Sequence, residues 1–231
     1  NKLVELRANN PSDFRSSHFE ALFLQTCITP MDNDLQQVYQ SVKFACRGDS
    51  TGHDWWHILR VVKLALFISE RENANPFTVE LAALLHDVDD WKLNRNTEGC
   101  PVALRILHES GYSDDEARRV ALIIGQVSFK GAGVDTTPST IEAKVVQDAD
   151  RLDAIGAIGV ARAFAYGGAR HRPMYIPDLK PQQHHSFDEY QHAHGSTINH
   201  FYEKLLLLKD RLNTQTARQI AVERHQFMEL F

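Results

Sequence analysis

Two adjacent residues at the end of an apolar run, His86 and Asp87, are the first in this chain whose types invite chemistry. They follow Leu81-Ala-Ala-Leu-Leu85, a helical run that should be buried, where polar atoms are costly unless they find partners. Neighbouring helical residues point about 100° apart, so both can serve one ion only near a helix end or across a cleft. Alone, the pair reads equally well as a capped helix end. His57, near the start of the preceding helix, is a second such residue, and alone it is simply a helix-start histidine. The third element is Gln147-Asp148-Ala-Asp150-Arg-Leu-Asp153. Asp150 and Asp153 stand at i, i+3 and share one helix face. Three carboxylates in this run repel one another. A solvated face would explain them on a surface helix, but Val145, Val146, Leu152, Ile155 and Ile158 indicate a helix buried over much of its circumference. A bound cation would offset the repulsion, and two imidazoles with carboxylates suit a divalent transition ion better than calcium.

Helices must position these residues. From Asp34 a first helix runs to Cys46 and stops at Gly48. The polar turn Thr51-Gly52-His53-Asp54 precedes the His57 helix, where Ile58, Val62, Ala65 and Ser69 form one stripe. Asn75-Pro76 is a cap followed by proline at the first helical position, and that helix carries Val79, Ala82, Ala83 and His86. Ser113-Asp-Asp-Glu116 and Ser139-Thr-Ile-Glu142 match the capping box. They predict helices running to about Val127 and toward Tyr166, the latter with Gly156 and Gly159 within it, where they permit close packing at some cost in helix stability. Residues 167–195 lack periodicity and read as a long loop, rich in histidine: a lid over an anionic ligand, or a surface loop. The tail from Ser196 to Phe231 reads as two amphipathic helices broken near Asn213. No segment sustains strand alternation, so the predicted class is all-α.

Composition narrows the function. The chain has 231 residues, 43 % hydrophobic, with a formal net charge of −5. It suits one domain over residues 31–231, with 1–30 as an N-terminal extension ahead of Met31. No apolar run reaches membrane-helix length, and no secretory signal opens the sequence. The three cysteines, Cys27, Cys46 and Cys100, form neither a disulfide framework nor a Cys-x-x-Cys site, which predicts a soluble protein of the reducing cytoplasm. The negative charge and lack of a basic stripe argue against nucleic acid and anionic membrane as partners. A small anion remains open to it, because a metal and a few cations can reverse the field inside a cleft.

His57 (within His57-Ile-Leu-Arg60-Val61), His86-Asp87 and the Asp148–Asp153 run, in that order, resemble the signature of the HD-domain metal-dependent phosphohydrolases, over roughly Asp34 to Tyr166. The resemblance implies an HD-type helical bundle, here with C-terminal helices, whose elements converge on one divalent metal (Mn, Mg, Co, Ni, Fe or Zn). The family's Asp-x-x-Asp pattern fits Asp150-Arg-Leu-Asp153, so the implied ligands are His57, His86, Asp87 and Asp150, with Asp148 and Asp153 as alternatives to Asp150. Thr51-Gly-His53-Asp54-Trp-Trp-His57 and Ser128-Phe-Lys130-Gly131 look like the small bacterial HD hydrolases, some of which act on nucleoside triphosphates. Two-metal members carry further histidines before the last aspartate. This chain has only His108 in that interval, and Gln126-Val127 where another might fall, which points to a single metal.

The resemblance also implies a role for Asp90, since an acidic residue at that position in related hydrolases assists proton transfer. Its alternative is a surface carboxylate ending a helix. Arg60, Lys92 and Lys130, each close in sequence to a metal-site element, are candidate phosphate contacts or solvated charges. His53 and Asp54 could orient a substrate or a metal ligand, or cap the His57 helix; Arg162 could pair with a carboxylate. Trp55 and Trp56 could stack on a base or pack. The expected activity is hydrolysis of a small phosphorylated substrate, a nucleotide, with pyrophosphate release from a triphosphate favoured. The alternatives are a 5′-nucleotidase-type monoesterase and a metal-binding HD module that senses rather than catalyses.

Overall fold

The helix that carries His57 lies at the centre of the molecule, because one stripe of it is apolar from end to end. In the computed structural model, which describes residues 33–48, 52–90, 99–183, 185–192 and 195–231, there are ten α-helices and no strand among the described residues. The predicted all-α class is observed. Residues 33–231 form one unit; the expected extension over 1–30 lies outside the described residues. No helix described is long and apolar enough to cross a membrane.

Helix α1 (Asn33–Ala45) leads to the central α2 (Trp55–Glu72), which buries Ile58, Val61, Val62, Leu64, Ala65 and Ile68. Helix α3 (Pro76–Leu85) is opened by Asn75, whose side chain accepts from Thr78 N at 3.0 Å. Its last turns are apolar on every side and fully buried. Helix α5 (Asp114–Ile124) packs on α3, α4 (Pro101–Glu109) packs on α5 and α1, and α6 (Ile141–Asp153) returns to lie against α2. The α2–α6 and α2–α3 pairings are the most extensive in the fold, and they bring the three metal-type elements together. Helix α7 (Gly156–Ala169), the short α8 (Phe187–His192), α9 (Thr197–Glu203) and α10 (Gln215–Leu230) complete the chain, with α10 packed on α7, α6 and α2.

Four local predictions change. The Ser113 capping box forms in both directions, whereas the Ser139 box does not. Thr140 caps α6 instead, accepting from Ala143 N at 3.1 Å, while Ser139 bonds Gln126 and Glu142 accepts from Asn75 N across the α3 start. The long helix expected to run toward Tyr166 breaks after Asp153, where Ile155 turns extended at φ −122°, ψ 165°. The unpatterned stretch from Gly167 begins as the end of α7 and contains α8. The penultimate helix stops at Glu203 and gives way to two 3₁₀ turns over Leu205–Leu207 and Lys209–Arg211.

Two helix starts depend on partners far away in sequence. Cys100, ahead of α4, has a left-handed backbone and makes no side-chain cap; Asp89 reaches over and accepts from Val102 N and Ala103 N at 3.0 and 2.9 Å, which suits a carboxylate at a helix N-terminus. Asp148 of α6 accepts from the backbone and side chains of Asn213 and Thr214, at distances from 2.7 to 3.1 Å. That ties α6 to the residue capping α10. Gln147 reinforces the tie, receiving Asn213 Nδ2 at 3.0 Å and donating to the carbonyls of Gln126 and Thr136.

The break between α6 and α7 depends on one missing side chain. A Cβ on Gly159 would stand 2.2 Å from the carbonyl oxygen of Ala154, a backbone atom with no room to yield. Gly159→Ala is therefore expected to cost about 1–3 kcal/mol, the range of overpacking, read as a lowered denaturation midpoint. An unchanged midpoint would show that the α6–α7 corner tolerates a side chain.

Candidate metal centre

Three termini of structure meet beside α2. Asp54 caps this helix, its Oδ1 accepting from His57 N at 2.9 Å, which fixes His57 in the first turn. His86 stands in the cap position after Leu85, and the chain then turns, with Val88 N bonding Leu85 O and Asp90 N bonding Asp87 O. His86 keeps helical backbone angles, φ −60° and ψ −29°, and at this helix end the donor atoms of both residues still reach one point. Asp150 and Asp153 come from the last turn of α6. His57 is fully buried, and His86, Asp87 and Asp153 nearly so.

Donor atoms of His57, His86 and Asp87 all lie within 4.8 Å of one another. His57 Nε2 is 3.2 Å from His86 Nε2 and 3.2 Å from Asp87 Oδ2, and His86 Nε2 is 3.5 Å from Asp87 Oδ1. Ligands at 2.0–2.2 Å from one ion stand roughly 2.8–3.6 Å apart, so the spacing fits a shared cation. Asp150 Oδ1 lies slightly wider, at 3.6 Å from His57 Nε2 and 3.8 Å from His86 Nε2, and its side chain is the most open of the set at 25 % exposure.

The proton positions give an independent test of that fit. His86 Nδ1 lies 2.8 Å from the carbonyl of Ala83, which can only accept, so Nδ1 carries the proton. His57 Nδ1 lies 2.7 Å from Asp153 Oδ2, again an acceptor. In the neutral imidazoles both Nε2 atoms are therefore lone pairs, and they face each other and the Asp87 carboxylate. Asp87 Oδ2 is buried and accepts no hydrogen bond. Acceptors converging on one point repel, and a cation at that point would reverse the sign. The residues fit a divalent metal.

Asp153 does not face that point. It accepts from His57, from Arg60 Nε and Nη2 at 2.7 and 3.0 Å, and from Arg162 Nη1 at 2.8 Å. Burial would raise its pKa, but His57 and the two guanidiniums hold it far below the usual carboxylate range. The i, i+3 pair thus brackets one imidazole, Asp150 toward Nε2 and Asp153 on Nδ1. Arg162 reaches Asp153 by crossing the turn before α2 at Gly52, where φ is 89° and a Cβ would stand 3.0 Å from Arg162 Cγ. Asp148, the other alternative ligand, points to Asn213 and Thr214; burial pushes its pKa up against the hydrogen bonds they donate.

The remaining expected site residues are distributed as follows. Asp90 is buried at 4 % exposure, not a surface carboxylate, and accepts from Ser128 Oγ at 2.9 Å. His53 is buried, edge-to-face with His57 and with Tyr166, ring centroids 5.9 Å apart in each case. Arg60 gives two donors to Asp153. Lys130 is exposed, and Lys92 lies outside the described residues. Trp55 packs edge-on against Tyr39, while Trp56 is exposed. Ser128 as a partner of Asp90 had no sequence signal beyond its place in the Ser128-Phe-Lys130 segment. The orienting role of Asp153 was written in its spacing from Asp150, but the direction each carboxylate takes was not.

The HD domain family matches residues 55–155. The uncharacterised Bacillus subtilis protein YpgQ is 41 % identical over 201 residues, 85 % of this chain and 89 % of its own. A Lactobacillus plantarum crystal structure superposes with a TM-score of 0.79 at 35 % identity, covering 88 % of this chain and 95 % of that one. Crystalline YpgQ in complex with ADP gives 0.65 at 42 % identity over 85 % and 92 %. An HD-superfamily hydrolase from Bacillus thuringiensis gives 0.63 at 43 % identity over 85 % and 92 %.

Two expectations follow from the geometry. Burial and the Arg162 charge oppose a proton on His57, yet Asp153 and Asp87 raise its pKa overall, so a divalent ion must displace that proton. Metal affinity should rise with pH until His57's raised pKa is passed, and fall about tenfold per unit below it for one displaced proton. Calorimetry in buffers of different ionisation enthalpy counts the protons released; a count of zero would contradict this competition. Asp153→Asn, which leaves every facing donor in place, should weaken metal binding by roughly 10–100-fold, as loss of a partner that orients a ligand does. Unchanged affinity would leave Asp153 with a packing role alone.

Proposed function

The chain belongs to the HD-domain family, and from that premise we propose that it is a metal-dependent phosphohydrolase acting on a nucleotide, with cleavage of a phosphoanhydride favoured over a monoester. The observation that carries the reading is the convergence of His57 Nε2, His86 Nε2 and a hydrogen-bond-free Asp87 oxygen on one point. The nucleotide part is supported by YpgQ, 42 % identical, having been crystallised in complex with ADP, a ligand that contains both a nucleoside and an anhydride.

In this reading His57, His86, Asp87 and Asp150 hold one divalent ion. Such an ion, when bound, would lower the pKa of a water and neutralise charge on a phosphoryl oxygen. Asp150 is the most open of the four, with 25 % of its side chain exposed, so substrate would approach on its side. Asp90 is the proton donor to the leaving oxygen: it sits three residues beyond Asp87, and Ser128 fixes one of its oxygens while the carboxyl stays buried. Burial keeps such a carboxyl from drifting among rotamers, which general acid catalysis requires. Lys130, exposed two residues from Ser128, is the phosphate contact we retain. Arg60 is better assigned to holding Asp153, since two of its donors are spent there. His53 and Asp54 position His57, one against its ring and the other through its backbone N–H.

Turnover of a panel of nucleoside mono-, di- and triphosphates by the metal-loaded protein, scored for phosphate and pyrophosphate, tests the reading. Pyrophosphate from triphosphates is the expected product. Activity confined to monophosphates would move the protein to the 5′-nucleotidase reading, and none with any divalent ion would leave a sensing module. Asp90→Asn should retain its metal and lose roughly 10²–10⁴-fold in turnover; near-normal turnover would remove Asp90 from the chemistry.

A further inference from the structure

Away from the metal centre, a cavity of about 310 Å³ opens between the segment over residues 132–137, α6 and the turn before α10. That volume is at the lower end of small-ligand sites. Arg151, Arg211, Asn213, Thr136 and Asp135 are among its lining residues, and none of the metal-facing side chains is. Arg151 follows Asp150 in α6, so the helix turns its side chain about 100° from that of Asp150.

The charge in this cavity is not balanced in the ordinary way. Arg151 is 95 % buried, and buried cations are normally paired with a carboxylate. Among the described residues, the hydrogen-bond acceptors of the two guanidiniums are neutral, and Asp148 and Asp150 favour the Arg151 charge without bonding it. Arg151 donates to the carbonyl of Arg211 and, at 3.0 Å, to Thr136 Oγ1, while its Nε is buried with no partner. Arg211 donates to the carbonyl of Ala132 and lies over the Phe129 ring, 5.6 Å from the centroid. The carboxylates nearby are committed elsewhere. Asp148 is saturated by Asn213 and Thr214, Asp150 faces the two histidines, and exposed Asp135 accepts from Thr137 N and Oγ1 on its Oδ1. Two guanidiniums from separate elements, Arg151 bonded to the backbone carbonyl of Arg211 and Arg211 to that of Ala132, line one cavity and match a tetrahedral dianion better than a carboxylate, which a single arginine fork can satisfy.

We propose that this cavity is a second binding site, separate from the metal centre, for the phosphate group of a small phosphorylated ligand held between Arg151 and Arg211. Arg211 has donors to spare and sits partly open at the cavity, so it makes the first contact; Arg151 supplies the buried charge. The ligand is either free phosphate or a phosphorylated nucleoside.

The test measures equilibrium binding of inorganic phosphate, and in parallel AMP, to the full chain with metal loaded and after chelation. Expected is a phosphate site that survives chelation, weakens about tenfold or more in Arg211→Gln, and falls between the two in Arg211→Lys, which keeps the charge and loses the fork. Metal content of both variants should equal that of the unaltered protein. Tighter binding of AMP than of inorganic phosphate to the chelated chain assigns the site to a nucleoside phosphate, and the reverse assigns it to the free ion. Phosphate binding that vanishes entirely on chelation overturns the proposal without recourse to any variant, as does Arg211→Gln binding as tightly as the unaltered chain.

Discussion

A buried imidazole can lend a lone pair to a metal only if its other nitrogen keeps the proton, and in this protein Asp153 makes that choice for His57. Much of the surrounding structure serves that one bond. Arg60 and Arg162 neutralise the carboxylate, each from a different helix, so Asp153 can stay ionised while 98 % buried. Asp54 sets the height of His57 on α2, and the bare turn at Gly52 lets Arg162 pass. A carboxylate without these cations would protonate in such surroundings and lose its grip on the imidazole tautomer.

The cluster also explains why charged groups are tolerated so deep in an apolar fold. Ion pairs of this kind seldom stabilise more than well-packed apolar side chains would, because desolvation offsets their attraction. What they supply is direction. His57 has Asp150 near one nitrogen and Asp153 on the other, so its ring cannot turn over without exchanging a bonded carboxylate for an unsuitable one. His86 is fixed with fewer parts, by the Ala83 carbonyl inside its own helix end.

Period and spacing made the helices legible, because helical faces repeat and the apolar run before His86 had to end in a buried place, whereas the ordered set His57, His86-Asp87, Asp150 was what the family resemblance implied. The Asn75-Pro76 start and the Ser113 box were legible for the same local reason, since their partners lie three residues away. Features decided by distant partners were not. Ser139 and Glu142 lost their mutual cap because Gln126 and Asn75 compete for them. The break after Asp153 is hidden in an apolar run whose glycines could as well have packed within a continuous helix. The burial of Asp90, which had a surface helix end as its alternative, goes with a bond to Ser128, 38 residues away. Asp148, Asp150 and Asp153 are chemically alike, and only the packing of α6 between α2 and α10 sends them to three different partners.

The attachment of Asp148 has a bearing on how the protein is made. Its carboxylate needs the amides and side chains of Asn213 and Thr214, which leave the ribosome 65 and 66 residues later. At 5–20 residues per second that is an interval of roughly 3–13 s. Throughout it, α6 carries a buried-to-be carboxylate with no donors, although α2, α3 and α5, against which it also packs, are already made. The nascent chain already holds His57, His86, Asp87 and Asp150 before this tie can form, and a chain ending ahead of Asn213 would keep those four side chains while leaving the Asp148 carboxylate without its donors.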